Sequence, residues 1–137
     1  MSMRVRDLMT QDVVASHPED TVATLRDLMY DRDVRHMPVV ADGGELVGLV
    51  SQRDLLRYSL IEQADVPDYV EDALLESIRV GELMTTGIVS VEPESDIREA
   101  AQIMYENKYG CLPVVEGPRL VGILTESDFV RLMAGGD

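Results

Sequence analysis

The alternation of apolar and polar positions predicts short strands and helices along the chain. Met37–Val40 and Leu46–Val50 are continuous apolar runs separated by Asp-Gly-Gly at 42–44, a pattern typical of two strands joined by a tight turn. Continuous runs of this kind predict strands that are covered on both faces. A helix is predicted to begin at Asp20 or Thr21, because apolar residues then follow at helical spacing, at Val22, Leu25, Leu28 and Met29.

The same order of elements occurs twice in the sequence. Residues 9–40 match residues 84–115 at an offset of 75, and after the turn an offset of 74 aligns 46–54 with 120–128. Because the only slip lies in a turn, the match indicates duplication of a complete structural unit. The pattern predicts an α+β (α/β) fold of two βαββα repeats packed about a pseudo-twofold axis, since one repeat alone would bury little core.

The repeats are placed at 4–60 and 79–133, with a connector at 61–78. The connector has no counterpart inside either repeat, and it lacks the Gly and Ser content of a flexible linker. Its apolar residues at helical spacing predict a helical stripe made of Val70, Leu74, Leu75 and Ile78.

The net charge of the protein limits the classes of molecule that it is expected to bind. The formal net charge is −14 at pH 7, from 26 acidic and 12 basic residues, so the surface repels phosphate backbones and nucleic-acid binding is not expected. Lys108 is the single lysine. Abundant carboxylates with so little Lys resemble the surfaces of salt-loving organisms, and the alternative is an ordinary acidic protein.

Other features argue against secretion, membrane insertion and enzymatic chemistry. No apolar run approaches the length of a membrane span, and the first ten residues lack the apolar region of a signal peptide, so a cytoplasmic location is expected. His17, His36 and Cys111 are too few and too scattered for a metal site. No nucleophile with an acid–base partner is evident, so neither catalytic residues nor an enzyme are predicted.

Three features, each present twice, resemble the CBS domain family, named for cystathionine β-synthase. They are a valine-containing Met-Thr segment (5–10 and 80–85), a Met-Pro-Val-Val-like strand (37–40 and 112–115), and a Gly-x-x-Ser/Thr-x-x-Asp ending. The resemblance implies a tandem pair, or Bateman module, of the stand-alone type. Such pairs bind adenine nucleotides or related ligands in clefts between the repeats, associate as homodimers into a disc of four repeats, and regulate a partner protein.

The two endings supply the first candidate ligand residues. Asp54 and Asp128 each stand three residues after a hydroxyl residue, Ser51 or Thr125, in the first turn of a predicted helix. A carboxylate there can accept hydrogen bonds from the two hydroxyls of a ribose, while the hydroxyl and the free N–H groups suit a phosphate. The alternative is a capping box, in which both side chains only close the helix N-terminus.

Cations that could hold a phosphate differ between the repeats. Arg35 and His36 precede the Pro-Val-Val strand of repeat 1, whereas repeat 2 has Gly110 and Cys111 there. By the family resemblance, groups from the two repeats meet in one cleft. One nucleotide site is therefore expected from Asp128 and Thr125 together with Arg35 and His36. The second cleft, at Asp54 and Ser51, would be empty or take a less charged ligand, with Arg53 as partial compensation. The alternatives are a solvated Arg35 and a hydrogen-bonded, partly buried His36.

The resemblance also implies which residues surround the adenine ring. They are Thr10, Asp12, Val13 and Val14 from the first repeat and Thr85, Gly87, Ile88 and Val89 from the second. Met37 and Leu112 would cover the ring, although both residue types pack equally well in a core.

These residues predict a regulatory module that binds an adenosine-containing ligand and transmits its state to an unknown protein partner. Among AMP, ADP, ATP and S-adenosylmethionine, AMP is favoured. The alternative is a structural dimerisation and docking module with vestigial clefts.

Overall fold

A computed structural model describes residues 3–56 and 68–135. Its helices are α1 (Val5–Leu8), α2 (Val22–Arg32), α3 (52–56 within the described part), α4 (Asp68–Ser77), α5 (Val80–Leu83), α6 (Ile97–Asn107) and α7 (Glu126–Met133). Its strands are β1 (His36–Val40), β2 (Leu46–Ser51), β3 (Cys111–Glu116) and β4 (Arg119–Thr125). In these two ranges no helix has the length and apolar character needed to cross a membrane.

The chain forms two compact units that do not coincide with the two sequence repeats. Unit 1 contains Met1–Val13, Gly43–Leu46 and Val89–Asp137, and unit 2 contains Val14–Asp42 and Val47–Ile88. The helix α1, which opens repeat 1, therefore belongs to the unit built on repeat 2, and α5, which opens repeat 2, belongs to the unit built on repeat 1. The predicted pseudo-twofold arrangement concerns both units together and stays a prediction.

Unit 1 is organised on the antiparallel pair β3–β4. The register runs from Cys111 opposite Thr125 to Glu116 opposite Arg119, with an irregularity between Val114 and Val115. Single bridges extend the sheet, antiparallel between Thr10 and Ile123 and parallel between Val91 and Val114. Both α1 and α6 contribute to its core, whose buried members are Val5, Leu8, Val91, Ile97, Ala100, Met104, Leu112, Val114 and Leu124.

Unit 2 repeats this plan with β1 and β2. Ser16 forms a parallel bridge with Val39, and Leu49 forms an antiparallel bridge with Thr85. Its main core contains Leu25, Met29, Met37, Val39, Val50 and Val80, and a smaller cluster contains Val22, Ala23 and Leu75. Val80 comes from α5, so the opening helix of repeat 2 completes the core built on repeat 1.

The predicted α+β class is confirmed, and local signals explain most element boundaries. Thr21 caps α2, because its side-chain oxygen accepts a hydrogen bond from the Thr24 N–H at 3.2 Å. The turn at 42–44 is a short 3-10 turn in which Gly43 and Gly44 have φ of 88° and 89°, values that favour glycine.

Two details of the secondary structure differ from expectation. The opening strand of the predicted βαββα order is reduced in repeat 1 to the single bridge at Ser16, because only the Ser16 N–H and C=O pair with β1, at 2.9 Å each. In the connector, α4 buries Leu75 while Leu74 stays 37% exposed, so the buried stripe is narrower than predicted. The part of the connector at 61–67 lies outside the described residues.

Candidate functional site

In unit 1, β4 leads directly into α7 through the Thr125–Asp128 box, meaning the hydrogen-bonded pair formed by these two residues. The Thr125 N–H donates to Oδ2 of Asp128 at 2.9 Å, and the Thr125 hydroxyl donates to the same oxygen at 3.3 Å. The remaining oxygen, Oδ1, lies 3.2 Å from Nη1 of Arg131. Asp128 is only 3% exposed. The capping role that the sequence allowed is therefore present, and contact with a ligand stays a prediction.

In unit 2, the Ser51–Asp54 box has the same construction at the start of α3. The Ser51 N–H donates to Oδ2 of Asp54 at 2.8 Å, the Ser51 hydroxyl donates to that oxygen at 3.0 Å, and the Asp54 N–H donates to the Ser51 hydroxyl at 3.2 Å. Asp54 is half-buried, so its carboxylate is more open to solvent than that of Asp128.

An exposed threonine from the opening segment of the other repeat pairs with each strand that leads into a box. Thr10 and Ile123 exchange two backbone hydrogen bonds of 2.9 and 3.0 Å, two positions before Thr125 on β4. Thr85 and Leu49 exchange bonds of the same lengths, two positions before Ser51 on β2. The structure therefore groups Thr10 with Asp128 in unit 1, and Thr85 with Asp54 in unit 2.

The residue pair before each Pro-Val-Val strand lies beside the box of its own repeat. The Arg35 carbonyl accepts a hydrogen bond from the Gln52 N–H at 2.8 Å, and the Gly110 carbonyl accepts one from the Glu126 N–H at 3.1 Å. Arg35 and His36 thus belong to unit 2 with Asp54, His36 being half-buried. The expected meeting of Arg35 and His36 with Asp128 joins residues of different units and stays a prediction.

Arg35 also lines a cavity of about 670 Å³ in unit 2, between α2, α3 and α4. Its walls are partly apolar, with Met29 and Leu75 among them, and partly polar, with Asp33 and Gln52. A second guanidinium at this cavity, that of Arg26, is bound to Asp72 at 2.9 Å and to Asp27 at 3.2 Å. Burial lowers the pKa of Arg26, but the hydrogen bonds to Asp72 and Asp27 outweigh it, so the pKa is raised overall and the group stays charged.

The apolar residues predicted around the adenine ring fall into two groups by exposure. Met37 and Leu112 are completely buried in the cores of units 2 and 1, the packing role that their residue types allowed. Val14 and Ile88 in unit 2 are half-buried, and Val89 in unit 1 is 39% exposed. Of the other candidates in the same segments, Asp12 and Gly87 are exposed and Val13 is half-buried. Val14, Ile88 and Val89 therefore keep part of their apolar surface open to solvent, and their contact with a ligand stays a prediction.

Arg131 is a contact of the site that the sequence reading missed. A signal for it was present, because Arg131 follows Asp128 by three residues, and residues at this spacing face each other on a helix. Cys111 is buried beside this box. Burial raises the pKa of the Cys111 thiol to about 12, with the Glu126 charge adding to the effect, so the thiol is neutral. Across residues 3–56 and 68–135, no group of three or more His, Cys, Asp or Glu side chains could hold a metal ion.

Comparison with known proteins gives a family for both repeats. The CBS domain family model matches residues 5–61 and 80–135. The crystal structure of the AcuB protein from Vibrio cholerae is 35% identical and superposes with a TM-score of 0.82 over 98% of this chain and 93% of that one. The crystal structure of CBSX2 in complex with AMP is 29% identical, with a TM-score of 0.80 over 96% of each chain.

A curated relative gives the same picture at the level of sequence. The chloroplastic CBS domain-containing protein CBSX1 of Arabidopsis thaliana is 33% identical over 88% of this chain and 59% of its own length. Across four of the curated relatives that it matches, the chain spans between 24% and 59% of their length.

Proposed function

Because the chain belongs to the CBS domain family, we propose that it is a regulatory module that binds an adenine nucleotide, with AMP as the preferred ligand. The observation that carries this proposal is the AMP bound to CBSX2, a chain similar to this one over 96% of both lengths. The hydroxyl–aspartate box, present in both units beside an exposed threonine, supplies the chemistry that a ribose phosphate requires.

The Thr125–Asp128 box is the proposed ribose site. A carboxylate accepts hydrogen bonds from neighbouring ribose hydroxyls, and the positive N-terminal end of α7 attracts a phosphate. The Thr125 hydroxyl is proposed to bind the same phosphate. Arg35 and His36 are proposed to neutralise the phosphate charge, as phosphate recognition favours guanidinium groups. Thr10, Val14, Thr85, Ile88 and Val89 are proposed to line the adenine ring.

The Ser51–Asp54 box belongs to the proposed second cleft, which would be empty or take a less charged ligand. ADP, ATP and S-adenosylmethionine are the other adenosine-containing ligands proposed for the two clefts. The bound state is proposed to reach a partner protein through a homodimer of the module. If the homodimer exchanges between two conformations, a ligand shifts their populations only by binding one conformation more tightly than the other.

Titration calorimetry with AMP and with 2′,3′-dideoxy-AMP tests the ribose contact. We expect Asp128→Asn to weaken AMP binding about 10- to 100-fold, because hydrogen bonds to a charged group contribute about 1.5–3 kcal/mol each. Binding of the dideoxy nucleotide, which has no ribose hydroxyls, should not change. Circular dichroism of each variant separates loss of binding from loss of fold.

The matched control is Glu126→Gln, which removes one exposed negative charge from the same helical turn and leaves the box intact. If Asp128→Asn weakened both nucleotides equally, Asp128 would act through the fold and not through the ribose. If the wild-type protein bound none of the adenine compounds at millimolar concentration, nucleotide regulation would be excluded.

A dimerisation and docking module is the second candidate, and exposed tyrosines favour it. Tyr30 on α2 and Tyr105 on α6 occupy equivalent repeat positions and are 85% and 84% exposed. Aromatic residues are enriched in protein interfaces. A protein that sediments as a dimer and binds no nucleotide would establish this alternative.

A further inference from the structure

Both carboxylate oxygens of Asp128 are engaged inside its own helix, which bears directly on the ligand site proposed above. Oδ2 accepts from the Thr125 N–H and hydroxyl, at 2.9 and 3.3 Å. Oδ1 lies 3.2 Å from Nη1 of Arg131, and the Asp128 side chain is only 4% exposed. Because so little of this side chain is exposed, a ribose hydroxyl that approaches Oδ1 meets the Arg131 guanidinium there.

Arg131 has the freedom to give way. Its side chain is 50% exposed, and it stands in the last turn of α7, where no described residue other than Asp128 forms an ion pair with it within 4 Å. A guanidinium so open to water exchanges a carboxylate for solvent at little cost, because ion pairs with an exposed partner stabilise proteins weakly. The buried carboxylate, in contrast, needs a donor at Oδ1 at all times, since a buried charge without partners is strongly unfavourable.

We propose that Arg131 is a latch on the ribose site: its guanidinium holds Oδ1 of Asp128 in the ligand-free protein, and a ribose hydroxyl must displace it. The latch lowers the affinity for every ligand that uses Asp128. It also selects ribose-containing ligands, because only a hydroxyl that reaches Oδ1 can replace the displaced donor. This inference rests on the proposed nucleotide function.

The three-residue spacing between aspartate and arginine also occurs in the sequence of repeat 1. Arg57 follows Asp54 by three residues, as Arg131 follows Asp128. Arg57 lies outside the described residues, so the inference is confined to Asp128 and Arg131.

Titration calorimetry on Arg131→Met tests the latch, because methionine keeps an apolar stem of similar length without the charge. We expect AMP to bind three- to tenfold more tightly than to the wild type, and 2′,3′-dideoxy-AMP to bind unchanged. Arg131→Lys should keep the wild-type affinity, since an ammonium group also pairs with Oδ1.

The matched control is Arg98→Met, which removes an exposed positive charge at the start of α6, also in unit 1. A general effect of charge on anion binding would change both Met variants alike, and a structural role of Arg131 would change both nucleotides alike. AMP binding that is unchanged or weaker in Arg131→Met would overturn the latch.

A measurement without ligand separates failure of the latch from failure of the nucleotide function. The melting temperatures of Asp128→Asn, Arg131→Met and the double variant form a cycle that reports the coupling of the two side chains. With a latch, the double variant is less destabilised than the sum of the single changes. Additive changes would overturn the latch even if AMP binds. Non-additive changes in a protein that binds no adenine nucleotide would leave the ion pair established and the nucleotide function refuted.

Discussion

Gly110 and Cys111 occupy in repeat 2 the positions that Arg35 and His36 hold in repeat 1, and these two differences change the chemistry beside the box. In unit 1 the second position carries a buried, neutral thiol, and the preceding residue, Gly110, offers only its carbonyl to α7. In unit 2 the same two positions carry an exposed guanidinium and an imidazole. At these two positions basic side chains are therefore present in unit 2 and absent from unit 1, although the backbones of both units follow the same plan.

The raised pKa of Cys111 predicts a loss of stability at alkaline pH. The thiol titrates near its ordinary value of 9 in the unfolded chain and near 12 in the folded one, so its contribution is complete below pH 9 and is lost as the pH rises toward 12. We expect the difference in free energy of unfolding between wild type and Cys111→Ala to shrink by about 2–3 kcal/mol between pH 8.5 and 11. Urea unfolding of both proteins measures it, and the other titrating groups cancel in the difference. A difference independent of pH would show that the thiolate is tolerated in the fold.

At the scale of elements, each strand that leads into a box carries a glycine packed under a methionine. A Cβ on Gly122 of β4 would lie 2.6 Å from Sδ of Met9 and 3.1 Å from the Thr10 carbonyl oxygen. A Cβ on Gly48 of β2 would collide with the side chain of Met84, which supplies its three nearest atoms. The methionine belongs in both cases to the Met-Thr segment of the other repeat, so this contact positions the exposed threonine beside the box.

A second substitution, of the contacting methionine, should relieve the clash caused by alanine at one of the two glycines better than at the other. Gly48→Ala and Gly122→Ala should each lower the free energy of unfolding by about 1–3 kcal/mol through overpacking. Adding Met84→Ala should recover most of the loss from Gly48→Ala, because the obstructing atoms nearest to the new Cβ all belong to Met84. Adding Met9→Ala should recover less of the loss from Gly122→Ala, because the Thr10 carbonyl is held by its hydrogen bond from Ile123. Double-mutant cycles in urea measure both couplings, and equal recovery in the two pairs would contradict the role of the backbone.

At the scale of the whole molecule, the repeats exchange their opening segments. The core of unit 1 needs Val5 and Leu8 from repeat 1, and the core of unit 2 needs Val80 from repeat 2. A single repeat cut at its sequence boundaries therefore lacks part of its own core, while the continuous segment 14–88 contains every residue of unit 2.

This exchange predicts which fragment folds. A fragment of residues 14–88 should show cooperative thermal unfolding by circular dichroism, and a fragment of residues 4–60 should not, because it carries α1 without its core and lacks Val80. Both fragments are small, so the missing core residues weigh heavily. Equal cooperativity in the two fragments would mean that the sequence repeat, and not the compact unit, is the folding unit.

The sequence alone determined the local elements and the family. The helix starts at Ser51 and Thr125 followed from capping chemistry, which depends on side chains three residues away, and capping chemistry limited the start of α2 to Asp20 or Thr21. The strand pairs followed from continuous apolar runs around a turn, and the duplication followed from matches of residues 9–40 and 46–54 with residues 84–115 and 120–128. The box residues Asp54 and Asp128 were found in the same way, because their hydrogen bonds stay within one helical turn.

Only the tertiary structure decided where α1 and α5 pack and which side chains remain open to a ligand. Each of these helices has four residues, and apolar side chains such as Val5 and Leu8 would suit either core, so no local pattern assigns α1 to unit 1. Burial was equally undetermined: Met37 and Val14 are both apolar candidates, yet one is fully buried and the other half-buried. Burial depends on contacts between segments far apart in the chain. An apolar residue type favours burial but does not specify which segment will cover the side chain.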